Sequence, residues 1–288
     1  MLTSTQNPLV KQFRKLHQAK ERKRQRTFLL EGSHLIIEAC AAKVDLQAVC
    51  FTQPWQNTHP SLVKELLHLS ERAELVSDEV LKSIATTVNP DGVVAIAHPN
   101  LYEKLHPDFL APHTFPSSSQ PSFLGIAVET LQDPGNLGTI IRTSAAVGLD
   151  QLWIGSQSVE PTHPKVLRAS AGQWFRVPMC IPHNLVVPIS ALQHSLPDNS
   201  LQVIATCPDT ELSYWDIDYT LPTLILVGNE GAGLSNNVMA MATHKVQIPL
   251  APNVESLNAA IATALVLYEA KRQRRNLVSK SKTHTLNR

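Results

Sequence analysis

Apolar residues along the chain alternate between short continuous runs and helical spacing, and this alternation predicts an α/β protein. In the last two thirds, six runs rich in Val, Ile and Leu predict strands: FLGIAVE (123–129), QLWIG (151–155), FRVPM (175–179), LQVIATC (201–207), PTLILVG (222–228) and HKVQI (244–248). Helical stretches separate these runs. Apolar strands alternating with helices predict a mostly parallel sheet covered on both faces.

The first hundred residues predict a second, smaller α/β domain. Helical spacing occurs in HLIIEACAAK (34–43) and SLVKELLHLSERA (61–73), and strand-like runs occur in LQAVCFT (46–52), ELVSD (74–78) and GVVAIAHP (92–99). A Pro- and Ser-rich stretch without periodicity then predicts a linker. The predicted organisation is a small domain over 1–98, a linker over 99–122, a main domain over 123–275 and a basic flexible tail over 276–288.

Composition places the chain among globular proteins, with 43% hydrophobic and 17% charged residues. It lacks both an apolar run of roughly 18 residues and an apolar signal core, so we expect a cytoplasmic protein without a membrane partner. The cysteines Cys40, Cys50, Cys180 and Cys207 form no C-x-x-C pair. Neither a metal site nor a disulfide framework is therefore predicted, and buried thiols are favoured.

Charge is distributed unevenly, although the net charge is only +1. Residues 1–30 hold eight Lys or Arg against one acid, and 271–288 hold seven against none. Leu9, Phe13 and Leu16 follow helical spacing, which predicts an amphipathic helix with a cationic face. Candidate RNA contacts on it are Lys11, Arg14, Lys15, Arg22, Lys23, Arg24 and Arg26. A solvated helix face is the simpler alternative, and an organellar transit peptide is a weaker one.

Polar residues collect at the ends of apolar runs in three segments, ETLQDPGNLGTIIRTSAAVG (129–148), LILVGNEGAGL (224–234) and IPLAPNVESLNAAIATALVLYEAKRQ (248–273). Polar side chains presented from loops of a rigid scaffold are typical of active sites. The glycines at 228, 231 and 233 lack the G-x-G-x-x-G spacing. A dinucleotide-binding oxidoreductase is therefore disfavoured.

These segments resemble, in order, the three motifs of the SpoU (TrmH) family of RNA ribose 2′-O-methyltransferases, within the SPOUT superfamily. PKVLRASAGQWFRVP (164–178) is similar to a further block between them, and the N-terminal run resembles the family's substrate-binding domain. The resemblance implies an α/β SPOUT domain with a deep trefoil knot, a small N-terminal α/β RNA-binding domain, S-adenosyl-L-methionine as cofactor and a homodimer. The implied substrate is RNA, with ribosomal RNA preferred; transfer RNA and a non-catalytic RNA-binding protein are the alternatives.

The resemblance also assigns roles to single residues. Arg142 is similar to the arginine proposed to act on the ribose hydroxyl; because guanidinium stays protonated, we favour a cation that stabilises the developing alkoxide. Asn136, Glu230, Ser256 and Asn258 match the other catalytic or orienting positions. Their simpler roles would be a helix N-cap for Asn136 and for Ser256, a loop acid for Glu230 and, for Arg142, a surface ion pair.

The implied cofactor residues are Gly228, Ile248 and Leu257, with Thr206 as a weaker candidate at the end of the LQVIAT run. Ordinary strand-end and core packing would explain them equally well. One departure from the family pattern is the turn after IPL, which reads Pro252 and Asn253 where a glycine is common. Asn tolerates left-handed backbone geometry, so we expect the turn to form.

Overall fold

The structure, a computed structural model, describes residues 1–105, 123–197, 200–207 and 210–285, with side chains as far as 275. Its contacts divide the chain into two compact units. The first comprises Met1–His106 and Glu160–Arg176, and the second comprises Pro107–Val159 and Val177–Arg288. Residues 106–122 of the predicted linker lie outside the described residues.

A four-stranded sheet forms the centre of the first unit, in the order β1-β4-β2-β3. Strand β2 pairs in parallel with β3 and antiparallel with β4, which also pairs antiparallel with β1. The strands are β1 Leu29–Glu31, β2 Leu46–Thr52, β3 Ala73–Val76 and β4 Val93–Ala97. The helices are α1 Pro8–Lys15, α2 Ala19–Gln25, α3 Ser33–Ala41, α4 Gln53–Thr58, α5 Pro60–Leu69, α6 Asp78–Ile84 and α7 Pro99–Glu103.

The amphipathic N-terminal pattern forms two helices rather than one. The predicted apolar stripe is confirmed, since Leu9, Phe13 and Leu16 are all buried. A turn that begins at Leu16 separates α1 from α2. Arg22 of α2 is only 2% exposed and donates hydrogen bonds to the carbonyls of Leu16 and His17 at 3.2 and 3.0 Å. A buried arginine therefore binds the end of α1.

Residues 160–176 interrupt the second unit in sequence yet pack within the first. They contain α9 Pro164–Ala169 and a 3₁₀ helix, Gln173–Arg176. Glu160 accepts a hydrogen bond from Arg22 at 2.8 Å, and Arg168 donates to Thr86 at 2.7 Å. The Trp174 ring lies 5.4 Å from that of Phe28. The family-like block 164–178, predicted within the main domain, thus packs mainly with the smaller unit.

The second unit is built on a six-stranded sheet in the order β10-β8-β9-β5-β6-β7, in which every described pair is parallel. This confirms the predicted parallel α/β architecture. Its strands are β5 Leu124–Val128, β6 Gln151–Ile154, β7 Met179–Cys180, β8 Gln202–Thr206, β9 Thr223–Val227 and β10 His244–Val246. Its helices are α8 Pro134–Val147, α10 Val186–Ser195, α11 Asn236–Met239 and α12 Ala259–Thr285.

Two predictions along the chain differ from the structure. The run FRVPM was expected to be a strand, but its first two residues complete the 3₁₀ helix and pairing begins only at Met179. Pro178 explains the late start, because proline has no N–H to donate to a neighbouring strand. Helix α12 continues to Thr285, through most of the segment predicted as a flexible tail. Residues 286–288 lie outside the described residues.

Arg22→Ala should destabilise the protein strongly, because it removes one partner of a nearly buried ion pair and two bonds to carbonyls. The expected loss in free energy of unfolding is at most about 3 to 5 kcal/mol, since Glu160 retains some solvent contact. Lys23 is the matched control: its ammonium also contacts Glu160, at 3.1 Å, but its side chain is 64% exposed. Lys23→Ala should cost about 0 to 1 kcal/mol. Equal costs in urea denaturation would contradict this assignment.

Candidate active site

Three loops of the second unit meet at the carboxyl edge of its sheet. The first follows β5 and leads into α8, the second follows β9, and the third follows β10 and leads into α12. Strands β5 and β9 are direct neighbours, and α8 packs against α12. Ligands of parallel α/β sheets bind at this edge, because the connecting loops present side chains and helix N-termini there.

A chain of hydrogen bonds connects one polar side chain from each loop. Asn136 donates through Nδ2 to Oε1 of Glu230 at 2.9 Å. Asn258 donates through Nδ2 to Oδ1 of Asn136 at 2.8 Å. The Asn258 oxygen in turn accepts from the backbone N–H of Ala260, at 2.9 Å, and of Ile261, at 3.3 Å. Asn136, Glu230 and Asn258, all predicted as site residues, therefore lie together.

The direction of these bonds follows from the chemistry of their ends. An ionised carboxylate only accepts hydrogen bonds, and a backbone N–H only donates. Asn136 must therefore turn its nitrogen toward Glu230 and its oxygen toward Asn258. The backbone N–H groups of Gln132 and Asp133 also point to the Glu230 carboxylate, at 3.5 Å each. We infer that Asn136 is held in one orientation.

Glu230 is held in its charged form. Burial raises the pKa of its carboxyl, but hydrogen bonds from the Asn136 amide, from its own backbone N–H and from those of Gln132 and Asp133 together lower the pKa by more. The net effect is a pKa below the ordinary value of 4.5. A carboxylate with a lowered pKa is a weak proton acceptor near neutral pH. Orienting Asn136 is therefore a better role for Glu230 than receiving a proton.

The caps of the two helices differ from those expected. Asp133, not Asn136, caps α8, because its side chain accepts from the Asn136 N–H at 2.8 Å. Asn258, not Ser256, accepts from the first N–H groups of α12. Ser256 lies two residues before Asn258 on an exposed loop. The side chain of Asn136 is thereby free of capping and available for the chain of bonds.

Arg142 lies on α8, two turns after the start of the helix, and its side chain is exposed. Because Asn136 is also helical, six residues separate the two by about 120° around the axis. They do not share a face. Arg142 and Glu230 form none of the salt bridges found among the described residues, and Glu230 binds Asn136 instead.

The turn after β9 is built by Asn229 and closed by glycines. The Asn229 side chain accepts from the N–H groups of Gly231 and Ala232 at 2.9 Å each and donates to the carbonyl of Thr130 at 2.8 Å. A Cβ on Gly228 would lie 2.4 Å from the carbonyl carbon of Gly233. Gly228 is therefore required for the turn to fold back on itself, whether or not it also contacts a cofactor.

A cavity of about 170 Å³ brings together residues from the ends of β8 and β10, from the loop before α12 and from α12 itself, and Gly228 is not among its lining residues. Three predicted cofactor residues line it, Thr206, Ile248 and Leu257, together with the predicted catalytic Ser256. Four further residues that were not predicted also line it: Cys207, Leu250, Glu255 and Ala262. Cys207 follows Thr206 directly, and the others lie in or next to the third motif, so position alone could have indicated them.

The unusual turn in the third motif forms as expected. Asn253 has φ +68°, in the left-handed region that Asn tolerates and most residues avoid. Residues 251–258 are exposed throughout. Asn253 therefore adopts the backbone conformation that a glycine would otherwise supply.

The predicted RNA contacts of the first unit fall into two groups. Lys11, Arg14 and Lys15 of α1 are exposed and form none of the salt bridges found among the described residues. The cations of α2 and its end are largely neutralised: Arg22 and Lys23 bind Glu160, Arg24 binds Glu21 and Arg26 binds Glu103. Arg22 in particular is too buried to reach a phosphate.

The described residues contain neither a metal-binding cluster nor a membrane-spanning helix. No cluster of three or more His, Cys, Asp or Glu side chains is arranged there to hold a metal ion. No described helix has the length and apolar character that a bilayer crossing needs. Cys40, Cys50 and Cys180 are buried free thiols, as expected, whereas Cys207 is partly exposed.

Sequence models of two known families match parts of this chain. The sequence model of the SpoU rRNA methylase family matches residues 124–268, and that of the MRM3-like substrate binding domain matches residues 7–95. The chain therefore belongs to the SpoU rRNA methylase family, as its motifs indicate.

Individual relatives cover nearly the whole chain. An uncharacterized tRNA/rRNA methyltransferase of Synechocystis is 46% identical over 94% of this chain and 93% of its own. The 23S rRNA (guanosine(2553)-2′-O)-methyltransferase RlmP of Bacillus subtilis is 28% identical over 93% of this chain and 97% of its own. The crystal structure of an AdoMet-bound rRNA methyltransferase from Sinorhizobium meliloti has a TM-score of 0.79 and 30% identity, covering 94% of this chain and 97% of that one.

Glu230→Gln should slow methyl transfer by roughly 10-fold to 100-fold, because small misplacements of an orienting group carry such costs. The glutamine oxygen can accept from Asn136 or from the backbone N–H groups of Gln132 and Asp133. The glutamine NH₂ would then face the donors that are left, and two donors cannot form a hydrogen bond. Single-turnover kinetics would measure the rate. Glu211→Gln, an exposed acid outside the site, is the matched control and should leave the rate unchanged.

The Glu230 carboxylate makes the stability of the folded protein depend on pH. Since the folded pKa of Glu230 is lowered, its contribution to stability is complete above pH 4.5 and is lost as the pH falls through the folded pKa. The difference in melting temperature between the wild type and Glu230→Gln should therefore shrink below pH 4.5. A difference that stays constant throughout the acid range would contradict the assignment.

Proposed function

We propose that the chain transfers a methyl group from S-adenosyl-L-methionine to a ribose 2′-hydroxyl of RNA. The observation that carries this proposal is the meeting of the Asn136, Glu230 and Asn258 side chains, linked by hydrogen bonds, at the sheet edge that also holds the cavity lined by Thr206 and Ile248. Orienting groups and a ligand site at one edge are what a group transfer between two bound molecules requires.

The side chains that line the cavity are of the types that would bind S-adenosyl-L-methionine. Ile248, Leu250 and Leu257 offer apolar contacts for an adenine ring, and Thr206 and Ser256 offer hydroxyl groups. The volume of about 170 Å³ is below the roughly 300 Å³ at which sites for such ligands begin. We therefore propose that this cavity holds one part of the cofactor and that the exposed loop 251–258 contacts the rest. When bound, the cofactor supplies an electrophilic methyl group.

Arg142 is the group that we propose to act on the ribose hydroxyl. An arginine with no ion-pair partner among the described residues keeps its full charge for a substrate. A guanidinium stabilises a developing alkoxide through its positive charge and its N–H donors. Asn136, oriented by Glu230 and Asn258, is proposed to position the substrate, and Ser256 is proposed to contact it from the loop before α12.

Ribosomal RNA is the proposed substrate. The matched family models are described as an rRNA methylase and an MRM3-like substrate binding domain, and the Bacillus relative acts on 23S rRNA by its name. Transfer RNA remains the second candidate, because the Synechocystis relative is named for both. We also propose a cytoplasmic location, which an RNA substrate would suit, and a trefoil knot in the second unit, which the family resemblance implies.

Arg142→Ala should lower the methyl-transfer rate by roughly 100-fold to 1000-fold, because it removes one preorganised charge at the reacting oxygen. Calorimetry should give nearly the same affinity for S-adenosylmethionine as in the wild type. Arg142→Lys should restore little, since an ammonium lacks the planar guanidinium fork. Arg72→Ala removes an exposed arginine of the first unit, outside the three motifs, and serves as the control. Near-normal turnover in Arg142→Ala would disprove the role, and a wild type that binds no cofactor would disprove the function.

For RNA affinity we propose the exposed face of α1. Its cations Lys11, Arg14 and Lys15 are free of ion pairs among the described residues, whereas those of α2 are mostly neutralised. Arg22 is left out of this proposal because it is buried. Lys23, Arg24 and Arg26 keep exposed side chains at 62% to 67% and contribute less, since an acid already accompanies each of them.

Reversing the α1 charges in Lys11→Glu/Arg14→Glu/Lys15→Glu should weaken RNA binding and flatten its salt dependence. Each phosphate that the variant no longer binds should reduce the slope of log K against log salt by about 0.7 to 0.9. The matched control is Lys43→Glu/Lys64→Glu/Lys104→Glu, which reverses three exposed lysines elsewhere on the first unit. Titrations at several salt concentrations that give both triple variants the same slope would remove α1 from the RNA-binding surface.

We propose a homodimer formed through α12. Ile261, Leu265 and Tyr268 recur at helical spacing and are 51%, 38% and 53% exposed. They line a cavity of about 400 Å³ together with Tyr214. An apolar stripe on a helix that starts at the site favours a second copy of the chain as its cover. Such a partner would also cover the exposed loop 251–258.

Ile261→Asp should turn the dimer into a monomer, because it places a charge within the apolar stripe of the proposed interface. Val187→Asp is the matched control, since Val187 is 49% exposed on α10 and outside the stripe. Sedimentation velocity at micromolar concentration would separate the two variants. A wild type that sediments as a monomer and is fully active at nanomolar concentration would contradict the proposal.

A further inference from the structure

The first unit contains a cavity of about 490 Å³ that none of the roles above uses. We call it the Trp55 cavity. It lies beside α4, the start of α6 and the loop before β4. The residues that matter below are Trp55, His59, Asp78, Lys82, Asp91 and Gly92. Its volume falls in the range of about 300 to 1,000 Å³ that is typical of small-ligand sites.

The aromatic wall of this cavity is held rigidly. Trp55 is 3% exposed, and its indole N–H donates to the Ser33 hydroxyl at 2.7 Å. That hydroxyl donates to Asp91 at 2.9 Å. Gly92 has φ +106°, and a Cβ there would lie 2.7 Å from the Cβ of Trp55. The backbone thus makes room for the indole, and a hydrogen-bonded chain fixes its plane.

His59 extends this wall toward the opening. Its ring stacks on Trp55 with 4.7 Å between centroids and 18° between planes. Its Nδ1 lies 3.1 Å from the carbonyl of Trp55 and 2.8 Å from the Thr58 hydroxyl, which fixes the ring further. His59 is only partly buried. A flat ligand can therefore continue the stack on the ring face that Trp55 does not cover.

The polar groups at the rim select the kind of ligand. Asp78 and Asp91 lie at the rim, and Lys82 is the one lysine or arginine in the described lining. Asp78 makes no hydrogen bond or ion pair among the described residues, so its oxygens can accept from a ligand. With two acids and one base the rim is acidic, which disfavours a phosphate. It favours a flat ring that carries amino or imino donors, because carboxylates accept from such groups.

We propose that the Trp55 cavity binds one unpaired nucleobase of the substrate RNA, stacked on His59 and donating hydrogen bonds to Asp78. This proposal rests on RNA as the substrate. Proteins read single-stranded RNA by stacking splayed bases on aromatic rings and bonding to their edges. Adenine and cytosine carry an exocyclic amino group with two N–H donors for Asp78, whereas uracil offers only its single ring N3–H. The cavity would therefore give the first unit a preference among bases, while the cations of α1 are proposed to supply affinity for RNA of any sequence.

The test is the binding of labelled 12-nucleotide homopolymers of A, C and U to the full chain, followed by fluorescence anisotropy at fixed salt. The wild type should bind the A and C oligomers more tightly than U. His59→Ala should weaken binding of the A and C oligomers by roughly fivefold or more, the effect of removing one base stack. His59→Phe keeps a ring and should retain most of the affinity. His68→Ala, on the neighbouring helix α5 and outside the cavity, should bind like the wild type.

A second pair of variants separates a hydrogen bond from general electrostatics. Asp78→Asn and Glu79→Gln remove the same charge from adjacent positions in the first turn of α6, but only Asp78 lines the cavity. Removing an acid alone should strengthen RNA binding slightly. Asp78→Asn should therefore weaken binding of the C oligomer relative to Glu79→Gln.

The outcomes separate the two proposals. Equal affinities for Asp78→Asn and Glu79→Gln, or an unchanged affinity for His59→Ala, would overturn the cavity as a base site while leaving RNA as the substrate. A wild type that binds S-adenosylmethionine but none of the oligomers would overturn the cavity proposal as well. A wild type that binds neither would overturn the proposed function itself.

Discussion

Parallel pairing of the strands in the second unit is the constraint on which the site depends. Because β5, β9, β8 and β10 run in the same direction, the loops that follow them emerge at one edge. Their residues are far apart in sequence: Asn136 and Asn258 are 122 positions apart and share a hydrogen bond. Without that common direction the three motifs would lie at opposite ends of the sheet.

The site is built from compatible hydrogen-bond directions more than from charge pairs. A carboxylate that only accepts and helix N–H groups that only donate leave the two asparagines a single arrangement. Arg142 takes no part in this network, and its side chain is exposed. Glu230 accepts from the Asn136 amide and from the backbone N–H groups of Gln132 and Asp133.

The strand runs and the motif residues could be predicted from the sequence because they depend on local patterns. LQAVCFT forms β2 over the expected residues, and Asn253 adopts the left-handed backbone that its side chain tolerates. Hydrogen-bond partners could not be predicted, since they depend on which loops meet. Asn136 and Ser256 both resemble N-caps in sequence, yet Asp133 and Asn258 perform the capping. Arg22 likewise looks like a surface cation until its neighbours are known.

The inserted segment 160–176 limits how the protein can be divided. Three of its side chains contact residues of the first hundred positions. Arg168 binds Thr86, the Trp174 ring packs near Phe28, and Glu160 binds Arg22. A truncation at residue 98 would leave these groups solvent-exposed and unmatched on what remained. The smaller unit is therefore not a portable module. A chimaera that exchanges substrate recognition between relatives would have to transplant both pieces of chain together, and gene fusion at a single junction could not create this architecture.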